Sequence, residues 1–70
     1  MNIAIVGSTG NVGRKLIEVL EKKNFPVTKA FLVASSKSSG KKINFLGKEH
    51  TVENLENFDF SKVKIAFFAA

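Results

Sequence analysis

Three glycines at three-residue intervals, in Gly7-Ser8-Thr9-Gly10-Asn11-Val12-Gly13, form the part of this 70-residue chain best suited to chemistry. A glycine run between a strand and a helix brings backbone N–H groups against an anion. The helix N-terminus adds unpaired donors and partial positive charge. At this spacing Gly7 allows a tight turn, Gly10 lets the backbone approach a pyrophosphate, and Gly13 lets the helix pack closely on the sheet. The pattern G-x-x-G-x-x-G is a variant of the dinucleotide fingerprint G-x-G-x-x-G. Gly7, Thr9, Gly10, Asn11, Val12 and Gly13 are therefore the first group of candidate cofactor-binding residues. A turn that merely caps a helix is the plainer alternative, and the strand before and amphipathic helix after favour binding over it.

A second group follows from an absence. Dinucleotide sites that prefer NAD place an acidic residue about 20 positions beyond the glycines, where it holds the ribose 2′-hydroxyl. Here no Asp or Glu occurs between Glu21 and Glu49, and Ser35-Ser36-Lys37-Ser38-Ser39 stands in that region with Lys41 and Lys42 behind it. Hydroxyls, amides and an ammonium suit a phosphate, which a carboxylate would repel. Ser36, Lys37, Ser38 and Ser39 are the candidate contacts to a 2′-phosphate, and NADP is the cofactor this pattern favours. By itself the same segment would read as a solvated loop.

Other chemistries find no residues. The chain has no cysteine, which excludes a disulfide framework, a cysteine zinc site and a cysteine nucleophile within these residues. Its one arginine, Arg14, falls in the first turn of the helix, and its one histidine, His50, reads as an exposed strand residue rather than an acid/base. No catalytic or metal-ligating residue is assigned. Eleven Lys+Arg against six Asp+Glu give a net charge of +5, which points to an anionic partner. Nucleic acid fits poorly, because the lysines are dispersed, Trp and Tyr are absent, and the seven Phe fall in apolar runs. No apolar run approaches the ~20 residues of a membrane span. The Met1–Val6 segment lacks the basic flank of a signal peptide. The expectation is a cytoplasmic protein with a small-molecule ligand.

The elements that must hold these residues are legible from periodicity. Residues 1–6 form an apolar strand closed by Gly7, buried on both faces as in a parallel sheet. A helix is predicted from Asn11 to Lys23, with Val12, Leu16, Val19 and Leu20 on its apolar side, Ile17 beside them, and Asn24 and Pro26 ending it. Ala30–Ser35 reads as a second strand. Lys42–Phe45 and Glu49–Val52 read as a hairpin around Leu46-Gly47-Lys48. Residues 53–62 suggest a short helical turn carrying Leu55, Phe58 and Phe60 inward, and Val63–Ala70 a third buried strand through Ile65, Phe67 and Phe68. The fold class is α/β: a Rossmann-type parallel sheet with a β-α-β opening and a hairpin insertion. A Rossmann sheet would continue past this last strand into a ligand-binding loop. Residues 1–70 are therefore read as the N-terminal part of an NAD(P)-binding domain, a partial domain.

Taken together, Gly7-x-Thr9-Gly10-x-Val12-Gly13, Asn24-Phe25-Pro26-Val27, Ala34-Ser35-Ser36-Lys37-Ser38-Ser39-Gly40-Lys41 and Ile65-Ala66-Phe67-Phe68-Ala69-Ala70 resemble the N-terminus of aspartate-semialdehyde dehydrogenase. The resemblance covers essentially the whole chain, and the Ala-Ser-Ser-x-Ser-x-Gly block is its most specific part. It implies an oxidoreductase that interconverts β-aspartyl phosphate and aspartate semialdehyde with NADP, in lysine, threonine and methionine biosynthesis. It also implies a homo-oligomer at full length, with the catalytic and dimerisation domain outside this chain. Gly10, Asn11, Val12 and Gly13 match the pyrophosphate loop, and Ser36, Lys37, Ser38 and Ser39 the segment around the 2′-phosphate. Lys37 stands where the family often has arginine, and Ala69 and Ala70 match the loop beneath the cofactor. The family's chemistry uses a cysteine nucleophile, a histidine acid/base and substrate-holding arginines, none of which this chain supplies. Two alternatives remain: an NADP-binding regulatory or redox-sensing module without catalysis, and an enzyme like N-acetyl-glutamyl-phosphate reductase.

Overall fold

Ile3, Ala4, Ile5 and Val6 leave no polar face on strand β1 (Asn2–Val6), and all four are buried. That pattern suits the centre of a parallel sheet, where both faces are covered. In the computed structural model, which describes residues 1–69, β1 occupies that centre. Ala70, expected in the last strand and in the loop beneath the cofactor, lies outside the described residues. Helix α1 (Asn11–Lys22) leads to β2 (Lys29–Ala34), which pairs parallel with β1 from Asn2↔Lys29 to Val6↔Val33. The hairpin β3 (Lys42–Phe45) and β4 (Lys48–Thr51) forms its own two-stranded sheet. A two-residue strand β5 (Glu53–Asn54) joins β2, and β6 (Ile65–Phe68) joins β1, giving the parallel order β5-β2-β1-β6. This is the expected α/β Rossmann-type sheet with its β-α-β opening and hairpin insertion. No helix of the described residues is long and apolar enough to cross a membrane.

The buried stripe of α1 departs from the expected one. Gly13, Ile17 and Leu20 face the sheet and Leu16 is half-buried, whereas Val12 is 64% and Val19 39% exposed. Hydrophobicity alone centred the stripe on the wrong side. The close approach at Gly13 sets the rotation of the helix, and successive residues turn by about 100°, so Val12 swings outward. The helix ends one residue earlier than predicted, at Lys22. Asn24 takes a left-handed φ of 52°, its N–H donates to the Glu21 carbonyl, and the Phe25 N–H donates to the Leu20 carbonyl. This is a Schellman closure, with Phe25 packing into the same cluster as Leu20.

The hairpin turns on two residues rather than three, so its second strand begins at Lys48 instead of Glu49. Leu46 and Gly47 have φ of 54° and 75°, the paired left-handed geometry of a type I′ turn. A leucine is strained there, and Leu46 is 47% exposed. Its backbone N–H donates to Glu21 Oε2 at 2.8 Å, a bond that a substitution would retain. Leu46→Asn is expected to stabilise the protein by about 1 kcal/mol, because asparagine tolerates the left-handed region. Denaturant unfolding of the two proteins measures it.

Residues 53–62 are not one helical turn. After β5 come two 3₁₀ turns, Leu55–Asn57 and Phe60–Lys62, and only Phe58 between them is buried; Leu55 is 38% and Phe60 37% exposed. Each turn is capped by the side chain before it. Asp59 Oδ1 accepts from the Ser61 hydroxyl at 2.7 Å and the Ser61 N–H at 3.0 Å, and these bonds hold its carboxyl below the usual carboxylate range. Phe58 closes the sheet face of Ala4, Val6 and Val33, while α1 and the hairpin close the other through Ile17, Leu20 and Phe45. The last strand is shorter and more open than expected. It runs Ile65–Phe68, is half-buried along most of its length and leaves Phe68 67% exposed, because it sits at the sheet edge and pairs only with β1 among the described residues.

Candidate functional site

The order β5-β2-β1-β6 reverses at β1, whose successor in sequence lies on one side and β6 on the other. Such a switch point opens a crevice beyond the carboxyl ends of the strands. Here a crevice of about 370 Å³ lies at that place, lined by Val6, Gly7, Thr9 and Gly10 after β1, Ala34 and Ser35 after β2, Leu55 after β5, and Ala69 after β6. Among the described residues, no acidic side chain lines it.

Gly7 leaves β1 with φ 85°, a conformation a side chain would strain. The turn is then tied to β2 through one acceptor. The Val33 carbonyl receives the N–H of Gly7 at 2.8 Å, the N–H of Ser8 at 3.3 Å and the Ser8 hydroxyl at 3.3 Å. Ser8 is fully buried and was not among the sequence candidates. It is a strut of the loop rather than a ligand contact, and the sequence marks it only as a polar residue next to a buried strand.

Gly10 is the N-cap of α1, in ordinary extended backbone at φ −81° and ψ 172°. It offers no side-chain cap, and the first turn holds no acidic residue. The Arg14 N–H makes the first helical bond, to the Gly10 carbonyl at 3.0 Å. The amides of Asn11, Val12 and Gly13 precede it and have no acceptor in the helix. A Cβ on Gly10 would meet only the Gly7 carbonyl oxygen, at 3.7 Å, so the space before these amides is open. Gly13 is the opposite case. A Cβ there would strike the Gly7 carbonyl oxygen and lie 2.8 Å from Ser8 Cα and 2.9 Å from the Gly7 carbonyl carbon. The two glycines thus do different work: Gly10 leaves open space in front of the helix, and Gly13 leaves room for the loop.

The structure brings Gly7, Thr9 and Gly10 to the crevice and puts Gly13 behind it. The side chains of Asn11 and Val12 instead line an apolar groove along α1, with Leu16 and Val19. The Ser36–Gly40 turn begins at Ser35 on the crevice rim. Ser38 and Ser39 N–H groups donate to the Ser35 carbonyl at 2.9 and 3.1 Å, and the Ser39 hydroxyl donates to the Ser36 carbonyl at 3.0 Å. Ser36 and Lys37 are exposed and Ser38 and Ser39 half-buried. At its far end the turn is anchored where the Gly40 N–H donates to the Val52 carbonyl and the Val52 N–H to the Lys41 carbonyl, both at 2.8 Å. His50 is on β4, opposite Ile43 and half-buried beside the Phe45 ring, not exposed, and does not line the crevice. Leu55, expected in the core, is on the crevice rim.

Comparison with known proteins agrees with this geometry. The family model described as semialdehyde dehydrogenase, NAD binding domain, matches residues 2–70. An aspartate-semialdehyde dehydrogenase of Vibrio mimicus is 51% identical over 69 residues, covering 99% of this chain and 22% of that protein. A USG-1 protein homolog of Azotobacter vinelandii is 47% identical over 70 residues, covering all of this chain and 21% of its own length. Among solved structures, aspartate semialdehyde dehydrogenase II of Vibrio cholerae, complexed with ASA, superposes with a TM-score of 0.95 at 51% identity, over 99% of this chain and 22% of that one. The chain spans about a fifth of the length of these relatives. With residues 2–70 matched and the fold shared, the chain belongs to the semialdehyde dehydrogenase NAD-binding domain family.

Proposed function

We propose that this chain is the dinucleotide-binding portion of an aspartate-semialdehyde dehydrogenase that uses NADP. The observation that carries the reading is the open space at Gly10 before three uncapped helix amides, beside a serine turn with no acidic residue. The amides of Asn11, Val12 and Gly13 would receive the pyrophosphate. Gly7 and Thr9 would shape the loop around it, and Ser36, Lys37, Ser38 and Ser39 would surround the 2′-phosphate. A bound dinucleotide would supply hydride exchange. The chain's own residues bind and orient it. The acyl-phosphate chemistry calls for a thiolate nucleophile, and with no Cys here that group would come from elsewhere in the polypeptide. This role places the protein in the cytoplasm, in the aspartate-derived route to lysine, threonine and methionine, as a homo-oligomer at full length.

The 2′-phosphate assignment has a direct test. The Ser39 hydroxyl already donates within the turn, which leaves Ser38 the better placed donor. Ser38→Asp is expected to weaken NADP binding about tenfold or more, since it removes a charge-assisted hydrogen bond and adds repulsion. Calorimetric titration giving the same NADP affinity in both proteins would remove Ser38 from the site.

A second reading has one observation in its favour. The USG-1 homolog, whose name states no activity, is as similar to this chain as the dehydrogenases are, at 47% identity against 51% and 45% for two of them. A module that binds NADP without catalysis would carry the same 70 residues. Turnover of aspartate semialdehyde with NADP and phosphate by the full-length polypeptide separates the two.

A further inference from the structure

Away from the crevice, at the amino end of β2, a pocket of about 190 Å³ opens between that strand and the hairpin. Val27 and Ala30 line it from one side, and Phe45, Leu46, Lys48 and His50 from the other. That volume is the share of about six waters in the liquid, at about 30 Å³ each. The floor is apolar, since Phe45 is 1% and Ala30 7% exposed. The hairpin register makes the rim cationic and polar. Lys48 stands directly opposite Phe45 and His50 directly opposite Ile43, so all four side chains share the face that packs on the sheet. The His50 ring rests beside Phe45, with centroids 6.1 Å apart. On the other face of the hairpin the Lys42 ammonium is taken up by Thr51 Oγ1 at 2.7 Å. Among the described residues Lys48 and His50 have no such side-chain partner. Lys29 also lines the pocket, but its ammonium sits over the Phe31 ring, 5.1 Å from the centroid, on the opposite sheet face from Ala30.

The wall formed by β2 adds backbone groups. The Val33 carbonyl faces β1, where it accepts from Gly7, and successive residues of a strand present their backbone groups to opposite edges. Ala30 therefore turns its N–H and C=O to the outer edge of β2. Strand β5 pairs with that edge only at Val33 and Ala34, so no strand among the described residues covers Ala30. A nearly buried amide without a strand partner calls for a water or a ligand. Among the described residues no acidic side chain lines the pocket, and the Glu21 carboxylate accepts from the Leu46 N–H at the hairpin turn. A ligand ammonium would find no counter-charge here, whereas a carboxylate would meet the Lys48 ammonium and the His50 ring N–H. We infer that this pocket is a separate ligand site, at the opposite end of β2 from the crevice, for a small organic carboxylate. Lys48 and His50 hold the carboxylate, and Val27, Ala30 and Phe45 contact its apolar body.

The test uses benzoate as the probe, titrated by ligand-observed NMR into the full-length polypeptide, with benzylamine as its cationic counterpart. The parent, Lys48→Gln and His50→Phe proteins are compared with and without NADP, and their thermal unfolding is followed. His50→Phe keeps a ring against Phe45 and removes both nitrogens. The expected result is saturable millimolar binding of benzoate by the parent, no binding of benzylamine and no displacement by NADP. Each variant should bind benzoate about fivefold more weakly. Lys48 is exposed, so Lys48→Gln decides the matter even where His50→Phe lowers the unfolding midpoint. Unchanged benzoate affinity in Lys48→Gln would overturn the site, and so would benzylamine binding as well as benzoate. Displacement of benzoate by NADP would move the ligand to the crevice and overturn it too. A parent protein that binds no benzoate would mean that another part of the polypeptide fills the pocket, and the inference would fall.

Discussion

Gly10→Val is expected to reduce NADP affinity at least about a hundredfold while leaving the fold in place. The backbone at Gly10 lies in an ordinary extended conformation, so valine adopts it without strain. A Cβ would touch only the Gly7 carbonyl oxygen, at van der Waals distance. The loss of a favourable N-cap is worth about 1 kcal/mol, a modest fraction of the stability of a typical domain. The ligand fares worse, because the isopropyl group fills the space in front of the amides of Asn11, Val12 and Gly13. Two charge-assisted hydrogen bonds at about 1.5–3 kcal/mol each account for a hundredfold loss or more. Fluorescence titration with NADPH, alongside circular dichroism of the variant, checks both halves. Normal binding by Gly10→Val would reduce the glycine loop to a structural turn.

The second large effect lies three residues on and has the opposite character. Gly13→Ala is expected to destabilise the protein by about 3 kcal/mol or more, even though alanine improves helix propensity by about 1 kcal/mol. The new methyl would strike the backbone of Gly7 and Ser8. That backbone cannot easily yield, because both residues donate to the Val33 carbonyl inside the sheet. The helix would have to lift, loosening Ile17 and Leu20 against Ile3, Ile5 and Leu32. Urea unfolding gives the loss directly. A Gly13→Ala protein as stable as the parent would mean that α1 does not sit as close to β1 as described. The contrast between the two glycines is the sharpest check on the site, since one substitution acts on the ligand and the other on the fold.

Elements governed by local sterics were legible in the chain itself. The β1–glycine–α1 opening, the stop before Pro26 and the turn at Gly47 each depend on what a few adjacent residues can adopt. The parallel sheet followed from a β-α-β order, and the family resemblance rested on short motifs that the comparisons then bore out. The errors share a different cause. Val12 and Val19 look like core by hydrophobicity, and they face outward because Gly13 has to contact the Gly7 carbonyl. Glu53-Asn54 carries no strand signal of its own and pairs only because β2 offers an open edge at Val33 and Ala34.

What the residues alone determined, then, was the set of local conformations and the chemical character of two loops: glycines that leave helix amides uncovered after β1, and hydroxyls and lysines without a carboxylate after β2. What only the tertiary structure decided was which surfaces meet. Ser8 became a strut because β2 brought the Val33 carbonyl beside it. Leu55 came to the crevice because the two residues of β5, which begins 40 residues after Gly13, added to the edge of β2. Local conformation is set by sterics within a few residues, whereas burial depends on pairing between distant segments, and no pattern within either segment encodes its partner.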